Sequence, residues 1–408
     1  MAEYPYVDGG VCAAKGFQAG GVHCGIRRNV KKPDLAMIYS QAPCAAAAVY
    51  TKNLVKGAPI LVTKENLKDG RAQAVICNSG NANTCNADGV QKAMKMCSLA
   101  ADTLGLRPKD VIVASTGVIG QVLPIEPIEA AVPGLAASLT TRGSEDAARA
   151  IMTTDTVVKN FAVSCKLGGK TVRIGGIAKG SGMIHPNMGT MLCFLTTDAA
   201  VSAKALDAAL RLAVGESFNM VSIDGDTSTN DTCAVLANGL AGNEEIAEPE
   251  GSGFQTFTEA LTQLCVRLAR TLAKDGEGAS RLLVCRVSGA KDDANARTAA
   301  KGIVCSTLFK AAMFGADANW GRVLCALGYC GADTDVTKVG VSFSSKAGTI
   351  TVCKNGAGIP FREEDAKKIL SEDEVTVDVA LGDGSAGATA FGCDLTYDYV
   401  KINGDYRT

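Results

Sequence analysis

Histidine is scarce in this sequence: only His23 and His185 occur in 408 residues. Sixteen cysteines are scattered singly and no CxxC pair is formed. The ligand spacing of a zinc cluster is therefore missing, and neither a metal nor any other cofactor is expected. The phosphate-binding signatures are missing too. No segment completes GxxxxGK followed by Ser or Thr, and "GSGMIHP" lacks the last glycine of GxGxxG, which removes the usual support for nucleotide chemistry. No stretch of eighteen residues is free of polar interruption, and "MAEYPYVDGG" has no basic segment leading into an apolar one, so neither a membrane nor export is expected. Charge of one sign is also absent: 41 Lys and Arg face 42 Asp and Glu, which argues against nucleic acid as a partner. The cysteines sit in apolar runs such as "VICNSG" and "MLCFL", where a free thiol behaves as a small hydrophobe. Their number fits a reducing, cytoplasmic compartment.

What is present is enough apolar chain, 47% of residues, to bury a large core in two or three domains or in one domain with a satellite. "LAMIYS", "AAAAVYT" and "APILVT" read as short strands between Gly, Pro, Asn and Lys,. "DGVQKAMKMCSLAADTL" and "SAKALDAALRLAVGES" have helical spacing, and "FQTFTEALTQLCVRLARTLAKDGEG" predicts an amphipathic helix ending near Lys274,. "VIVAS" and "TMLCFLTTDA" read as strands, and "FAVSCKLGGKTVRIGGIAKG" as a hairpin,. Composition changes near residue 281. One strand, one helix through 310 and several later strands then predict a smaller α/β unit over 281–408, after a core over 1–280.

Several residues are candidates for chemistry. His185 suits a general base but also fits a turn with Pro186 and Asn187,. His23 has no acidic partner nearby in sequence. "DGDTSTND" at 224–231 offers oxygen ligands without the calcium-loop pattern, and reads more simply as a hydrogen-bonded wall or turn,. "NDT" at Asn230 matches a glycan acceptor, which is empty without export. Thr190, in "HPNMGTMLCF", has a hydroxyl but no amine to activate it. Cleavage of the Gly189–Thr190 bond would place both groups on one residue, the amine having an ordinary pKa of about 7.7 and serving as base. Strand propensity alone also explains a threonine there.

Longer blocks decide between these readings. "GGVCAAKGF", "KNLVKGAPILVT", "NSGNANTCNADG", "VASTGVIG", "MTTDT", "KGSGMIHPNMGTMLCFLTTDA", "SIDGDTSTNDT", "KDGEGAS", "FGADANWGR" and "KINGDYRT" together resemble the ornithine acetyltransferase family, also called the glutamate N-acetyltransferase family, over essentially the whole chain. The resemblance implies an α-β-β-α sandwich with a smaller C-terminal α/β domain. It implies self-cleavage between Gly189 and Thr190, with Gly189 where that family most often has Ala, and it makes Thr190 the nucleophile and, through its freed amine, the base. It places the oxyanion hole on Thr116 and Gly117, and substrate contacts on Thr153, Lys179, Thr190, Glu277, Asn403 and Thr408. The implied reaction moves acetyl from N2-acetylornithine to L-glutamate, giving ornithine and N-acetylglutamate without ATP. Acetyl-CoA is an additional donor in some members. Two N-terminal and two C-terminal fragments are the implied assembly. A self-processed aminopeptidase or amidase is the competing reading.

Overall fold

The computed structural model describes residues 3–27, 32–185 and 191–405. In chain order its strands are β1 (Tyr6–Val7), β2 (Phe17–Val22), β3 (Leu35–Tyr50), β4 (Arg71–Asn78), β5 (Val111–Ser115), β6 (Lys159–Leu167), β7 (Lys170–Lys179), β8 (Leu192–Thr197), β9 (Val221–Ser222), β10 (Thr232–Ala237), β11 (Leu282–Ala290), β12 (Gly340–Ser345), β13 (Gly348–Lys354), β14 (Ala357–Gly358), β15 (Glu374–Ala380) and β16 (Ala386–Cys393). The helices are α1 (Ala58–Asn66), α2 (Gly89–Leu104), α3 (Glu126–Ala137), α4 (Ser144–Ile151), α5 (Ala203–Glu216), α6 (Gly251–Lys274), α7 (Asp293–Cys305), α8 (Thr307–Phe314), α9 (Trp320–Tyr329), α10 (Glu363–Leu370) and α11 (Tyr397–Asp405). Among the described residues, no helix is long and apolar enough to cross a membrane.

A first sheet runs β1-β6-β7-β8-β10-β3-β4-β5, with β2 also on β3. The long β3 joins its two halves. Its early residues pair with β2 and β4, its later ones with β10, and the β3–β4 register slips between Tyr39 and Cys44. Side chains alternate across each strand. In one half Ala36, Ile38, Val75, Cys77, Ile112 and Ala114 face the same core as Leu192, Phe194, Ala234 and Leu236 of the other. The intervening residues point outward. Leu35, Met37, Ile76 and Val113 meet α2 and α3, while Cys193, Leu195, Cys233 and Val235 meet α5 and α6. The result is the expected α-β-β-α sandwich.

Helix α6 has the predicted amphipathic stripe, burying Phe257, Leu261, Leu264, Leu268 and Leu272. Each such side chain contributes roughly 1.5–3 kcal/mol on burial, which fixes the helix far more firmly than its propensity would. "APILVT" is a correction: it opens α1 rather than forming a strand. Pro59 sits in the first turn, where a missing N–H costs nothing. The buried positions are Ala58, Pro59, Ile60, Val62 and Thr63, with Leu61 half-exposed among them. The Thr63 hydroxyl locks this helix onto β5 by bonding both the carbonyl and the N–H of Val113, at 2.7 and 2.9 Å.

The second sheet has the order β14-β13-β12-β15-β11-β16-β9. It therefore recruits β9 from well before residue 281. One face covers α7, α9 and α10, while Leu282, Val284, Phe391 and Cys393 join the core around α6. The single helix expected through 310 is instead broken at Ser306, whose hydroxyl accepts the Phe309 N–H and starts α8. A third helix, α9, begins where the Asn319 side chain accepts from the Arg322 N–H. These caps sit at the ordinary N-cap position.

Candidate active site

A small cavity of about 190 Å³ opens where β5 and β7 end and β10 begins; Thr116, Gly117, Thr153, Lys179, Glu277 and Asn403 all line it. These are all the sequence-assigned residues that fall within the described chain. Gly189, Thr190 and Thr408 lie outside the described residues. A larger cavity, about 970 Å³ beside α6 and α11, is lined by Arg267, Arg270 and Lys274 among others and contains none of the assigned residues. Convergent chemistry, rather than volume, marks the smaller one as the candidate active site.

Each wall has a local cause. The Thr116 N–H donates to the Asn78 carbonyl at 3.0 Å, which continues the β4–β5 pairing one residue past the strand. Gly117 has φ 125°, and a Cβ there would lie 2.8 Å from the Asn81 nitrogen and the Gly80 carbonyl carbon. No L side chain fits this turn, so the main chain stays open to the cavity. Asn230 locks the opposite wall. Its amide nitrogen donates to the Ala82 and Ser115 carbonyls at 2.5 and 2.9 Å, and its oxygen accepts from the Thr84 and Thr229 hydroxyls at 2.6 and 2.5 Å.

The charged groups stand apart. Lys179 is buried at the end of β7, with Nζ 3.5 Å from the Thr116 hydroxyl and, among the described residues, no ion-pair partner. Burial pushes its ammonium below the ordinary lysine range. Glu277 follows the C-terminus of α6, and its N–H donates to the Ser181 carbonyl at 2.8 Å. Gly182 makes room for its carboxylate, since a Cβ there would stand 2.3 Å from Glu277 Oε2. The Asn403 amide, on α11, donates to Glu277 Oε2 at 2.8 Å. A cation, an anion and two hydroxyl-bearing loops thus converge on a volume suited to a small zwitterion.

The histidines are elsewhere. His185 Nδ1 lies 3.1 Å from the Ser222 hydroxyl and 3.4 Å from Cys305 Sγ, beside a separate cavity of about 740 Å³. Burial, aided by Lys301, pushes its pKa down to about 4, so it is neutral at physiological pH. His23 does have an acidic neighbour, Asp34, at 3.5 Å. The separation of the two residues along the chain hides that pairing from a reading of adjacent sequence. In "DGDTSTND", the Asp224 carboxylate accepts from the Met183 and Ile184 N–H groups at 2.5 and 2.9 Å. Its oxygens hold the chain leading toward residue 190, the hydrogen-bonded alternative of the sequence reading. Asn230 is buried and presents no glycan acceptor. Two residues behind the cavity escaped that reading: Asp155, the acid of "MTTDT", and Lys159, a lysine opening an apolar strand. A charge in such a strand was the available signal, because lysine is almost never fully buried unless paired.

Comparison with known proteins gives a consistent picture. The sequence pattern of the ArgJ family matches residues 18–408. The arginine biosynthesis bifunctional protein ArgJ of Symbiobacterium thermophilum is 51% identical over 405 residues, covering 99% of this chain and 100% of the relative. The protein of the same name from Bacillus subtilis is 47% identical, covering 98% and 97%. Among solved structures, the ornithine acetyltransferase of Mycobacterium tuberculosis complexed with ornithine is 37% identical, covering 46% of this chain and 100% of that chain with a TM-score of 0.43.

Proposed function

Since the chain belongs to the ArgJ family and is an acetyltransferase of arginine biosynthesis, we propose that it moves acetyl from N2-acetylornithine to L-glutamate through an acetyl-threonine at Thr190. The observation that carries this reading is the gathering of Thr116, Gly117, Thr153, Lys179, Glu277 and Asn403 around one cavity. Cleavage before Thr190 frees its amine, which takes the hydroxyl proton as Oγ attacks the acetyl carbonyl. The Thr116 hydroxyl and the Gly117 main chain receive the developing oxyanion. Lys179 holds the substrate α-carboxylate, Glu277 the side-chain ammonium of the ornithine moiety, and Thr153, Asn403 and Thr408 complete the polar wall. Ornithine departs with a proton, and the amine of glutamate then attacks the acetyl ester. Both bonds exchanged in the full cycle are amides, so no ATP and no cofactor is needed.

The bifunctional name of the relatives extends the reading to acetyl-CoA as a second donor for glutamate. A cavity of about 190 Å³ is below the roughly 300 Å³ at which drug-sized ligands are enclosed, so the nucleotide portion of that donor stays outside it. The processed fragments remain together in this account. β7 precedes the cleavage point, β8 follows it, and the two pair from Ile174 with Thr197 to Lys179 with Leu192. Separation would expose that ladder and the cores on both faces. Two copies of each fragment form the proposed assembly, in the cytoplasm.

Glu277→Gln tests the assignment, because it keeps shape and removes charge. The KM for N2-acetylornithine is expected to rise about tenfold or more, the equivalent of one charge-assisted hydrogen bond. Unchanged constants for both substrates in a folded, cleaved variant would remove Glu277 from the site. Efficient peptide hydrolysis without glutamate would favour the aminopeptidase reading instead.

A further inference from the structure

Behind the cavity wall lies a charged network to which the acetyl-transfer scheme assigns no task. Lys159, fully buried at the start of β6, places Nζ 2.7 Å from Asp155 Oδ1 and 2.5 Å from Asp275 Oδ2. Asp155 Oδ1 also accepts the Gly180 N–H at 2.6 Å, and its Oδ2 accepts the Thr153 N–H at 3.0 Å. One carboxylate thus ties together two stretches of cavity wall, one carrying Thr153 and the other carrying Lys179. Asp275, two residues before Glu277, accepts from the N–H groups of Thr156 and Val157.

Stability alone does not account for this arrangement. Desolvating a buried ion pair costs about as much as its attraction returns, so apolar replacements are commonly neutral or better. The electrostatics around Lys179 suggest another role. Four charged or titratable groups act on it: Asp155, Lys159, Asp231 and Arg27. Burial, Lys159 and Arg27 disfavour its ammonium, while Asp155 and Asp231 favour it. Asp231 is buried, and that burial pushes its carboxyl well above the usual carboxylate range. Asp155 differs. Burial would raise it, but Lys159, Lys179 and the Gly180 N–H outweigh burial and hold it at about 2. It is the permanent anion of the group.

We propose that Asp155, anchored by Lys159, is a positioning residue for acetyl transfer: it holds the Thr153 and Gly180 walls in register and provides the fixed negative charge that keeps Lys179 cationic for a substrate carboxylate. The proposal rests on the acetyltransferase reading above. Asp155 itself touches no substrate. It acts through Lys179 and through the backbone that it holds.

Asp155→Asn is the test, because it removes the charge while leaving Lys159 paired with Asp275. A group whose charged form loses a favourable partner titrates lower if it is a base. Two readouts on the cleaved protein follow. In trace labelling with an amine-reactive reagent, read by peptide mass spectrometry across pH, the Lys179 midpoint is expected to fall by about one pH unit or more. The pH at which KM for N2-acetylornithine rises is expected to fall with it. A raised KM with an unchanged midpoint and unchanged pH profile would reduce Asp155 to a structural part and overturn the electrostatic role. Where Asp155→Asn does not accumulate as folded protein, Asp155→Glu serves instead. It keeps the charge but displaces the oxygens bonded to Gly180 and Thr153, so it is expected to keep the midpoint and raise KM; a wild-type KM or a lowered midpoint there overturns the proposal. Absence of acetyl transfer from N2-acetylornithine by the wild-type protein would defeat the proposed reaction, while the labelling midpoints would still judge the coupling of Asp155 to Lys179.

Discussion

Replacing Thr190 with Ala is expected to leave a single chain of 408 residues that transfers no measurable acetyl. The substitution removes the one oxygen that serves both steps: attack on the Gly189 carbonyl during cleavage, and attack on the acetyl carbonyl afterwards. Losses on removing a covalent nucleophile run to roughly 10⁴–10⁶ in kcat, so the deficit exceeds anything expected from the binding residues. Thr190→Ser keeps the oxygen and loses the methyl group that restricts its rotamer. It is expected to cleave slowly and to retain part of the activity. Intact-mass spectrometry and a transfer assay on the same preparations check both outcomes. A cleaved, active Thr190→Ala protein would remove Thr190 from the mechanism.

Asn230→Ala is expected to produce the largest loss of stability among single changes around the cavity. It removes the amide that bonds the Ala82 and Ser115 carbonyls and the Thr84 and Thr229 hydroxyls, although the Thr84 hydroxyl keeps the Ala82 carbonyl at 3.3 Å and the Thr229 hydroxyl at 3.4 Å. Each buried group left without a partner costs roughly 1–3 kcal/mol. Some regain water through the cavity, so a net cost of about 3–5 kcal/mol is the expected scale. Thermal melting of the cleaved protein is expected to begin several degrees lower, and activity to fall with it, because Ser115 directly precedes Thr116. A melting curve matching the wild type would show that this wall is held by other contacts.

Much of this architecture was legible in the sequence, for identifiable reasons. Strands buried on both faces, such as "VIVAS" and "LCFLTT", and the long stripe of α6 carry their patterns within single segments. "APILVT" misled because six apolar or small residues satisfy strand and helix patterns alike; only docking on Val113 decides it. The pairing of β9 with β16 was beyond reach, since a two-residue strand has no period to detect. The site shows the same division. Thr116, Gly117, Thr153, Lys179, Glu277 and Asn403 were legible as candidates because each lies in a motif block, and the fold brings them to one cavity. Asp155 and Lys159 were missed because their meaning depends on Asp275, far along the chain at the end of α6. His185 drew attention as a rare titratable residue, yet its ring faces Ser222 and Cys305.

The central claim is that the freed Thr190 carries the acetyl group between two amines. Its most direct test is to incubate cleaved wild-type protein with N2-acetylornithine labelled in the acetyl group, without glutamate, to quench rapidly, and to map the label by peptide mass spectrometry. One acetyl group is expected on the peptide that begins at Thr190, discharged to N-acetylglutamate when glutamate is added before the quench. Full transfer activity from a chain that remains uncleaved, or an acetyl label found only on other residues, would contradict it.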